Sequence, residues 1–466
     1  MASNIFRTKS IEELIAGTHR GNDLKKVLGA YELTMLGIGA IIGTGIFVLT
    51  GIAAANYSGP ALVISFIISG LACAFAGLAY AELAAMVPVA GSAYTYGYAA
   101  LGEVWAFIIG WDLILEYTVA VSAVAIGWSG YMVSLLAGAG VIIPAALVNP
   151  PGVQGGVINL PAILIISAIT FLLIIGVKES ARFNNVIVII KLAVVLLFIF
   201  IGMFHIDPAN WTPFMPYGWS GVFKGAAIVI FAYLGFDAVS TAAEEVKNPQ
   251  RDLPIGILAS LGICTFLYIV VSAILTGMVP YLKFKETSAP VAFALQQVGV
   301  NWGSALVSVG AICGITSVLL VMTFGQTRIF FAMSRDGLLP KVFGEVNPKF
   351  GTPVKSTLLV GIVCATLAGF TPIGVVAELC NIGTLAAFVI VAAAVIYLRK
   401  KAPDQPRSFK CPWVPLIPML AIAFNFYLIW VLPAITQYRF IAWLLIGLVV
   451  YFAYSRKHST MNDKAA

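Results

Sequence analysis

The sequence predicts an all-α polytopic membrane protein, and three observations carry that prediction. Of its 466 residues, 60% are hydrophobic and 10% are charged, whereas a soluble domain is about a quarter charged. Apolar stretches of the ~20 residues that a spanning helix needs recur from Leu33 to Tyr454. The basic residues gather in alternate connecting loops. Single aqueous cores stop growing near ~250–300 residues, so the apolar surplus of this chain has to face lipid.

Taken in order, a polar arm over residues 1–30 precedes twelve spans. These are read at about 31–55, 60–87, 101–136, 159–177, 183–204, 218–244, 254–280, 303–333, 354–371, 375–398, 413–435 and 438–455. The arm is too polar for a cleavable signal peptide, so the first span is expected to direct insertion. Within it Ser10 and Glu13 are spaced as a capping box for a short surface helix. The segment 282–300 is amphipathic and is expected to lie on the outer face.

Basic residues orient the spans, because Lys and Arg are retained on the cytoplasmic side. Arg7, Lys9, Arg20, Lys25 and Lys26 lie in the arm, and Lys178, Arg182, Lys247 and Arg251 follow on the same side. So do Arg328 and Arg335, Lys341 to Lys355, Arg399 to Lys410, and Arg456, Lys457 and Lys464 in the tail. The opposite side carries Lys283, Lys285 and Arg439. Both termini are therefore expected in the cytoplasm, in a multi-pass protein of the cell (plasma) membrane. The net charge of +7 reads as this topology signal and not as a nucleic-acid surface. Trp105, Trp211, Trp219 and Trp413, near span ends, read as interface anchors.

Two spans are interrupted by glycine. The first reads Gly37-Ile-Gly-Ala-Ile-Ile-Gly-Thr-Gly45, and the sixth reads Phe231-Ala-Tyr-Leu-Gly235-Phe-Asp237. Glycine inside a helix costs about 1 kcal/mol relative to Ala. Close helix packing through Gly39-x-x-x-Gly43 is one use for such residues. A second use follows from spacing: the interrupted spans occupy corresponding positions in two five-span halves, and five is odd, so the halves have inverted topology. Paired interruptions in inverted halves are the best sequence pointer to a transporter binding site.

An unwound helix frees backbone N–H groups where one half begins and carbonyls where the other ends, and within lipid these need partners. A zwitterion satisfies both. Its carboxylate suits the N–H groups near Gly43, Thr44 and Gly45, and its ammonium suits carbonyls near Ile41, Phe231, Ala232 and Leu234. The pattern fits α-amino acids.

Ionisable residues inside spans narrow the search. Lys191 lies about eight residues into span five, roughly 12 Å along it. It either snorkels to the surface or, if buried, is a candidate for exchanging a proton. Asp112 and Glu116 stand one turn apart on span three and share a face. With Tyr117, Thr118 and Ser122 following, Glu116 either lines a polar cavity or is an internally paired carboxylate. Glu82, Glu244 and Glu245 read as charges near the cytoplasmic surface, solvated or pairing across a gate.

Enzyme readings fail. His19, His205 and His458 lie outside the span centres, and no zinc-protease, phosphate-loop or nucleophile-elbow motif is present. The longest soluble segments, at about thirty residues, are too short for a nucleotide-binding domain. None of the six cysteines forms a Cys-x-x-Cys pair. They read as small buried hydrophobes, and no cofactor or metal is expected.

The glycine stretches, together with Pro88-Val-Ala-Gly-Ser-Ala-Tyr-Thr-Tyr96, Gly110-Trp-Asp-Leu-Ile-Leu-Glu-Tyr117, Glu244-Glu-Val-Lys-Asn-Pro249 and Ser334-Arg-Asp-Gly-Leu-Leu-Pro340, stand in an order that resembles the amino acid–polyamine–organocation (APC) superfamily. Within it, the chain resembles bacterial relatives of the cationic amino acid transporters. The resemblance covers spans one to eight. It implies a LeuT-like 5+5 inverted repeat with discontinuous helices 1 and 6, plus two C-terminal helices. The organisation is then an arm (1–30), two repeats (31–204 and 205–398), a cytoplasmic loop (399–412), helices 11 and 12 (413–455) and a tail (456–466).

The resemblance also implies a substrate between helices 1 and 6, with Lys191 matching the fifth-span lysine of proton-coupled members. Met322 falls where the substrate side chain points. Carriers of cationic substrates look smaller there, so a methionine shortens the pocket and argues against strict arginine or lysine transport. The expectation is a proton symporter of L-amino acids working by alternating access, with amino acid, protons and lipids as partners. An amino acid or polyamine exchanger, which would tolerate Lys191→Met, and a non-transporting amino acid receptor remain open at this stage.

Overall fold

A computed structural model describes residues 7–11, 14, 26–89, 92–176 and 181–462. Among them, eight helical stretches are long and apolar enough to cross a membrane. Four shorter apolar helices, Ala30–Ile41, Leu160–Ile174, Val354–Phe370 and Leu416–Val431, accompany them. The chain is a multi-pass membrane protein. The helices coincide with the expected spans, with ends shifted by a few residues.

The first helix, α1 (Ala30–Ile41), starts where the Glu32 carboxylate accepts the Gly29 N–H at 2.9 Å. It stops at Ile42, whose ψ of 102° is extended. Helix resumes at Gly45–Leu49 in the wider π form and runs through Thr50–Ala53 and Ala54–Ser58 towards α2 (Leu62–Met86). A short helix not anticipated from the sequence, α3 (Ser92–Ala100), is buried along its whole length. Then come α4 (Glu103–Gly138), α5 (Leu160–Ile174), α6 (Ala181–Gly202) and α7 (Gly218–Val229). After α7 the chain tightens into 3₁₀ turns at Ile230–Tyr233 and Asp237–Glu245. Between them Gly235 has φ +107°, a region that glycine enters without steric cost. The chain continues through α8 (Pro249–Met278), α9 (Asn301–Arg335), α10 (Val354–Phe370), α11 (Ile373–Lys401), α12 (Leu416–Val431) and α13 (Ala434–Val450).

Burial orders these elements. Within the Gly218–Glu245 stretch, 83% of the apolar window is enclosed by protein; for Ala434–His458 the share is 22%. The interrupted stretch is central and the last helix peripheral. On α6, Val186, Ile189, Leu196 and Phe200 are each more than half exposed, forming the lipid face, while Lys191 on the same helix is fully buried. The segment 282–300 forms a 3₁₀ turn, Tyr281–Glu286, and a short helix, Pro290–Gln297.

Both ends of the chain meet at Glu103, on the first turn of α4. Arg7 pairs with its carboxylate at 3.2 Å, and Tyr451 and Ser459 donate to it at 3.0 and 2.5 Å. Glu13, Arg20, Lys25, Lys178, Lys464 and the side chain of Arg182 lie outside the described residues. So do Ala90 and Gly91 of the Pro88–Tyr96 motif.

One expectation needs correction. Cys313 is exposed, unlike the other cysteines, because it lies on the outward face of α9. Trp211 packs its indole over Gly277 and donates to the Ala273 carbonyl at 3.3 Å.

Candidate functional site

The two interruptions touch. A Cβ built on Gly45 would stand 2.2 Å from the Ala232 Cα, and one on Gly235 would stand 2.8 Å from the Ala40 Cβ. Real Cβ atoms do not approach so closely, so glycine at both positions lets the broken segments pack backbone to backbone. Beside this contact, the Ile42 N–H still bonds back to Ile38 at 2.9 Å, and the next such bond joins Phe47 to Gly43 at 3.2 Å. Gly43, Thr44 and Gly45 therefore open a new helical start, where the first N–H groups have no intrahelical acceptor and favour negative charge.

Three of the four carbonyls expected to face an ammonium, those of Ile41, Phe231 and Ala232, have donors already. Tyr268, on α8, places its hydroxyl 2.9 Å from the Ile41 oxygen and 2.8 Å from the Ala232 oxygen. A hydroxyl has one proton, so it serves one of them at a time. The Leu234 N–H donates to the Phe231 carbonyl at 3.2 Å. A carbonyl has two lone pairs, so each can accept a second donor. Phe231, Ala232 and Leu234 are all buried. Sequence reading passed over Tyr268, although a tyrosine in mid-span has a hydroxyl that needs a partner once buried.

Lys191 does not snorkel. Its ammonium donates to the Gly39 carbonyl on α1 at 2.6 Å. Gly314 on α9 makes room for its stem, since a Cβ there would stand 2.9 Å from the Lys191 Cε. The lysine thus ties α6 to the turn of α1 that precedes the break.

Asp112 and Glu116 share a face, as expected, and that face meets α11. A Cβ on Gly383 would stand 2.8 Å from the Asp112 Oδ1 and 3.7 Å from the Glu116 Cβ. The Cys380 thiol lies 3.5 Å from the Glu116 carbonyl. Thr118 and Ser122 do not extend this face: two residues along a helix turn it by about 200° and six by about 240°. Ser122 donates to the Cys364 carbonyl of α10 at 3.2 Å, and the Gln326 amide of α9 reaches Thr118 and the Ile114 carbonyl. These hydroxyls join helices instead of lining a cavity with Glu116.

Thr44 turns its side chain to α4, over Gly127, with its hydroxyl 3.5 Å from the Val124 carbonyl. Only its backbone is left to face the break. Val318 of α9 packs against Gly43, and Met322, buried, follows one turn later on the same side.

Glu82 is buried, not solvated. Arg399 donates to it through Nε and a terminal nitrogen, both at 2.8 Å, and the Cys411 N–H donates at 2.8 Å. The Arg407 Nε lies 3.2 Å from its Oε1, close enough for an ion pair though not aligned as a hydrogen bond. Arg407 also donates to the Leu398 and Ala402 carbonyls at 3.2 and 2.8 Å, which caps the end of α11.

The amino acid permease family matches residues 28–454 of the chain. A branched-chain amino acid permease, BcaP, of Bacillus subtilis is 56% identical over 466 residues, covering 99% of this chain and 100% of the relative. The methylthioribose transporter of the same organism is 53% identical over 461 residues, with coverage of 99% and 100%. Cationic amino acid transporter 1 of Arabidopsis thaliana is 40% identical over 379 residues, with coverage of 81% and 64%.

Proposed function

The chain belongs to the amino acid permease family, and is thus a transporter and not an enzyme; from that premise we propose that it takes up neutral L-amino acids by proton symport. The observation that carries the reading is the face-to-face packing of the two broken helices, Gly45 on Ala232 and Gly235 on Ala40. The substrate carboxylate would take N–H groups of Gly43, Thr44 and Gly45. Its ammonium would take the remaining lone pairs of the Ile41, Phe231, Ala232 and Leu234 carbonyls. The side chain would extend towards Met322, with Glu116 on the flank. A hydrophobic wall of this kind favours aliphatic side chains, in keeping with the name of the 56% identical relative.

Lys191 is the proposed coupling group. Its charged bond to the Gly39 carbonyl is stronger than a neutral one, so loss of the proton loosens α6 from α1 and frees the broken helix to move. Alternating access then follows from movement of the broken helices against the remaining bundle, in a LeuT-like 5+5 inverted repeat extended by α12 and α13. The basic loops support cytoplasmic termini, and the meeting of Arg7 with Tyr451 and Ser459 at Glu103 supports their lying on one side.

The test is uptake of radiolabelled L-leucine and L-alanine into proteoliposomes, with and without an inward proton gradient, for the native chain and Lys191→Ala. Accumulation that requires both the gradient and the lysine is expected. Counterflow that ignores the gradient would identify an exchanger, and binding without flux a receptor. A second reading rests on the 53% identity to a protein named as a methylthioribose transporter. In that case the same backbone groups would hold a neutral thiosugar, and labelled methylthioribose would enter where the amino acids do not.

A further inference from the structure

We infer that Asn381, on α11, is a positioning residue for the substrate site, holding the end of α7 from which the segment Phe231–Leu234 is suspended. The inference rests on the proposal that this segment contacts substrate. Asn381 is fully buried, and its amide nitrogen donates to the Ala227 carbonyl at 2.8 Å and to the Ile228 carbonyl at 3.0 Å.

Those two carbonyls lie in the last turn of α7. In a continuous α-helix they would accept from Phe231 and Ala232, four residues on. The chain instead tightens into the 3₁₀ turn Ile230–Tyr233, where bonds reach three residues, and it leaves helical geometry at Leu234, with ψ 138°. A helix end inside the bundle needs donors from elsewhere. The two N–H groups of one amide reach both, and the Ile230 N–H also turns back to the Ile228 carbonyl. Two bonds from a single planar group set the rotation of the helix end as well as its distance, which one bond does not.

The same turn of α11 is pinned on its other side. Gly383 admits Asp112, and Cys380 lies on the Glu116 carbonyl. Asn381 therefore stands between α4 and α7, and any shift of α11 against α4 is delivered to Phe231 and Ala232. Residues that sit one turn beyond a clamped helix end inherit its position. Substrate affinity, more than the amount of folded protein, should depend on this amide.

Asn381→Leu keeps the branched shape with a somewhat bulkier side chain and removes both donors, while Asn381→Ser keeps one. Uptake of radiolabelled L-leucine is measured over a concentration series in proteoliposomes, normalised to reconstituted protein, alongside equilibrium binding of the same ligand. The expected result is a KM and Kd raised about tenfold in Asn381→Leu and by less in Asn381→Ser, with Vmax within about twofold of native. Unchanged KM and Kd in Asn381→Ser, together with a Vmax that falls only with the amount of folded protein, would overturn the inference and leave Asn381 a packing residue. If Asn381→Leu does not elute as a folded species on gel filtration, the Asn381→Ser comparison decides. A native chain that neither binds nor carries L-leucine overturns the site reading beneath the inference, and this inference with it.

Discussion

Gly45 rests directly on the backbone of Ala232: a Cβ at Gly45 would stand 2.2 Å from the Ala232 Cα and 2.6 Å from its Cβ. One missing methyl group thus allows the two interrupted helices to meet, and everything proposed for the substrate site depends on that meeting.

Gly45→Ala should abolish uptake, by more than about tenfold, because backbone atoms have to separate to admit the methyl group, and overpacking of this kind costs about 1–3 kcal/mol. Gly262, where an added Cβ meets nothing within 4 Å, provides the control. Gly262→Ala should transport at the native rate, and equal behaviour of the two variants in a proteoliposome assay would remove the contact from the mechanism.

Tyr268→Phe removes the hydroxyl shared by the Ile41 and Ala232 carbonyls while keeping the ring that packs against Phe66 and Tyr233. Leaving buried acceptors short of a donor costs about 1–3 kcal/mol. If the hydroxyl holds the empty site in shape, substrate binds the variant about tenfold more weakly. If the hydroxyl instead competes with the substrate ammonium, binding tightens. Isothermal titration with L-leucine separates the two, and no change in either direction would exclude Tyr268 from the site.

Met322→Ser should admit longer cationic side chains. The methionine is buried one turn from Val318, which packs on Gly43, so trimming it would lengthen the proposed pocket. Gain of labelled arginine uptake, with weaker uptake of leucine, is the expected outcome. Arginine uptake that does not change would place Met322 outside the pocket.

Glu82→Ala should destabilise the far end of α11. Glu82 and Arg407 have side chains only 2% and 3% exposed, and removing one partner of a buried pair costs about 3–5 kcal/mol. Thermal unfolding in detergent should shift down by several degrees. Cys411 supplies a local readout: burial, and then the neighbouring Glu82 carboxylate, push its thiol up to about 12. At pH 8 it should therefore resist maleimide. In a Cys313→Ala background, which lacks the exposed thiol, Glu82→Ala should make Cys411 react. Continued resistance would mean that the loop keeps its place without the carboxylate.

The last two helices show where sequence reading stops. Trp111 and Trp443 stack with ring centres 4.6 Å apart, and each indole donates to the other's carbonyl, at 2.9 and 3.1 Å. Gly447 opens the space for the Trp111 ring. Neither residue stood out along the chain, because a tryptophan in an apolar span looks the same whether it faces lipid or another helix.

What the sequence determined by itself is set by local chemistry and by solvent. Apolar length marks the spans, glycine clusters mark the two interruptions, and the asymmetry of Lys and Arg points to an orientation. These are properties of short segments, and the bilayer acts on each segment alone. Tertiary structure decided which groups face one another. It turned Lys191 inward to Gly39 instead of outward to the surface, gave Tyr268 and Asn381 to the freed carbonyls, separated Glu116 from Thr118 and Ser122, and buried Glu82 between two arginines. The physical reason is that a hydrogen bond is fixed by distance and direction between atoms hundreds of residues apart in the chain. Helix rotation and packing set those distances, and no periodicity within one span encodes them.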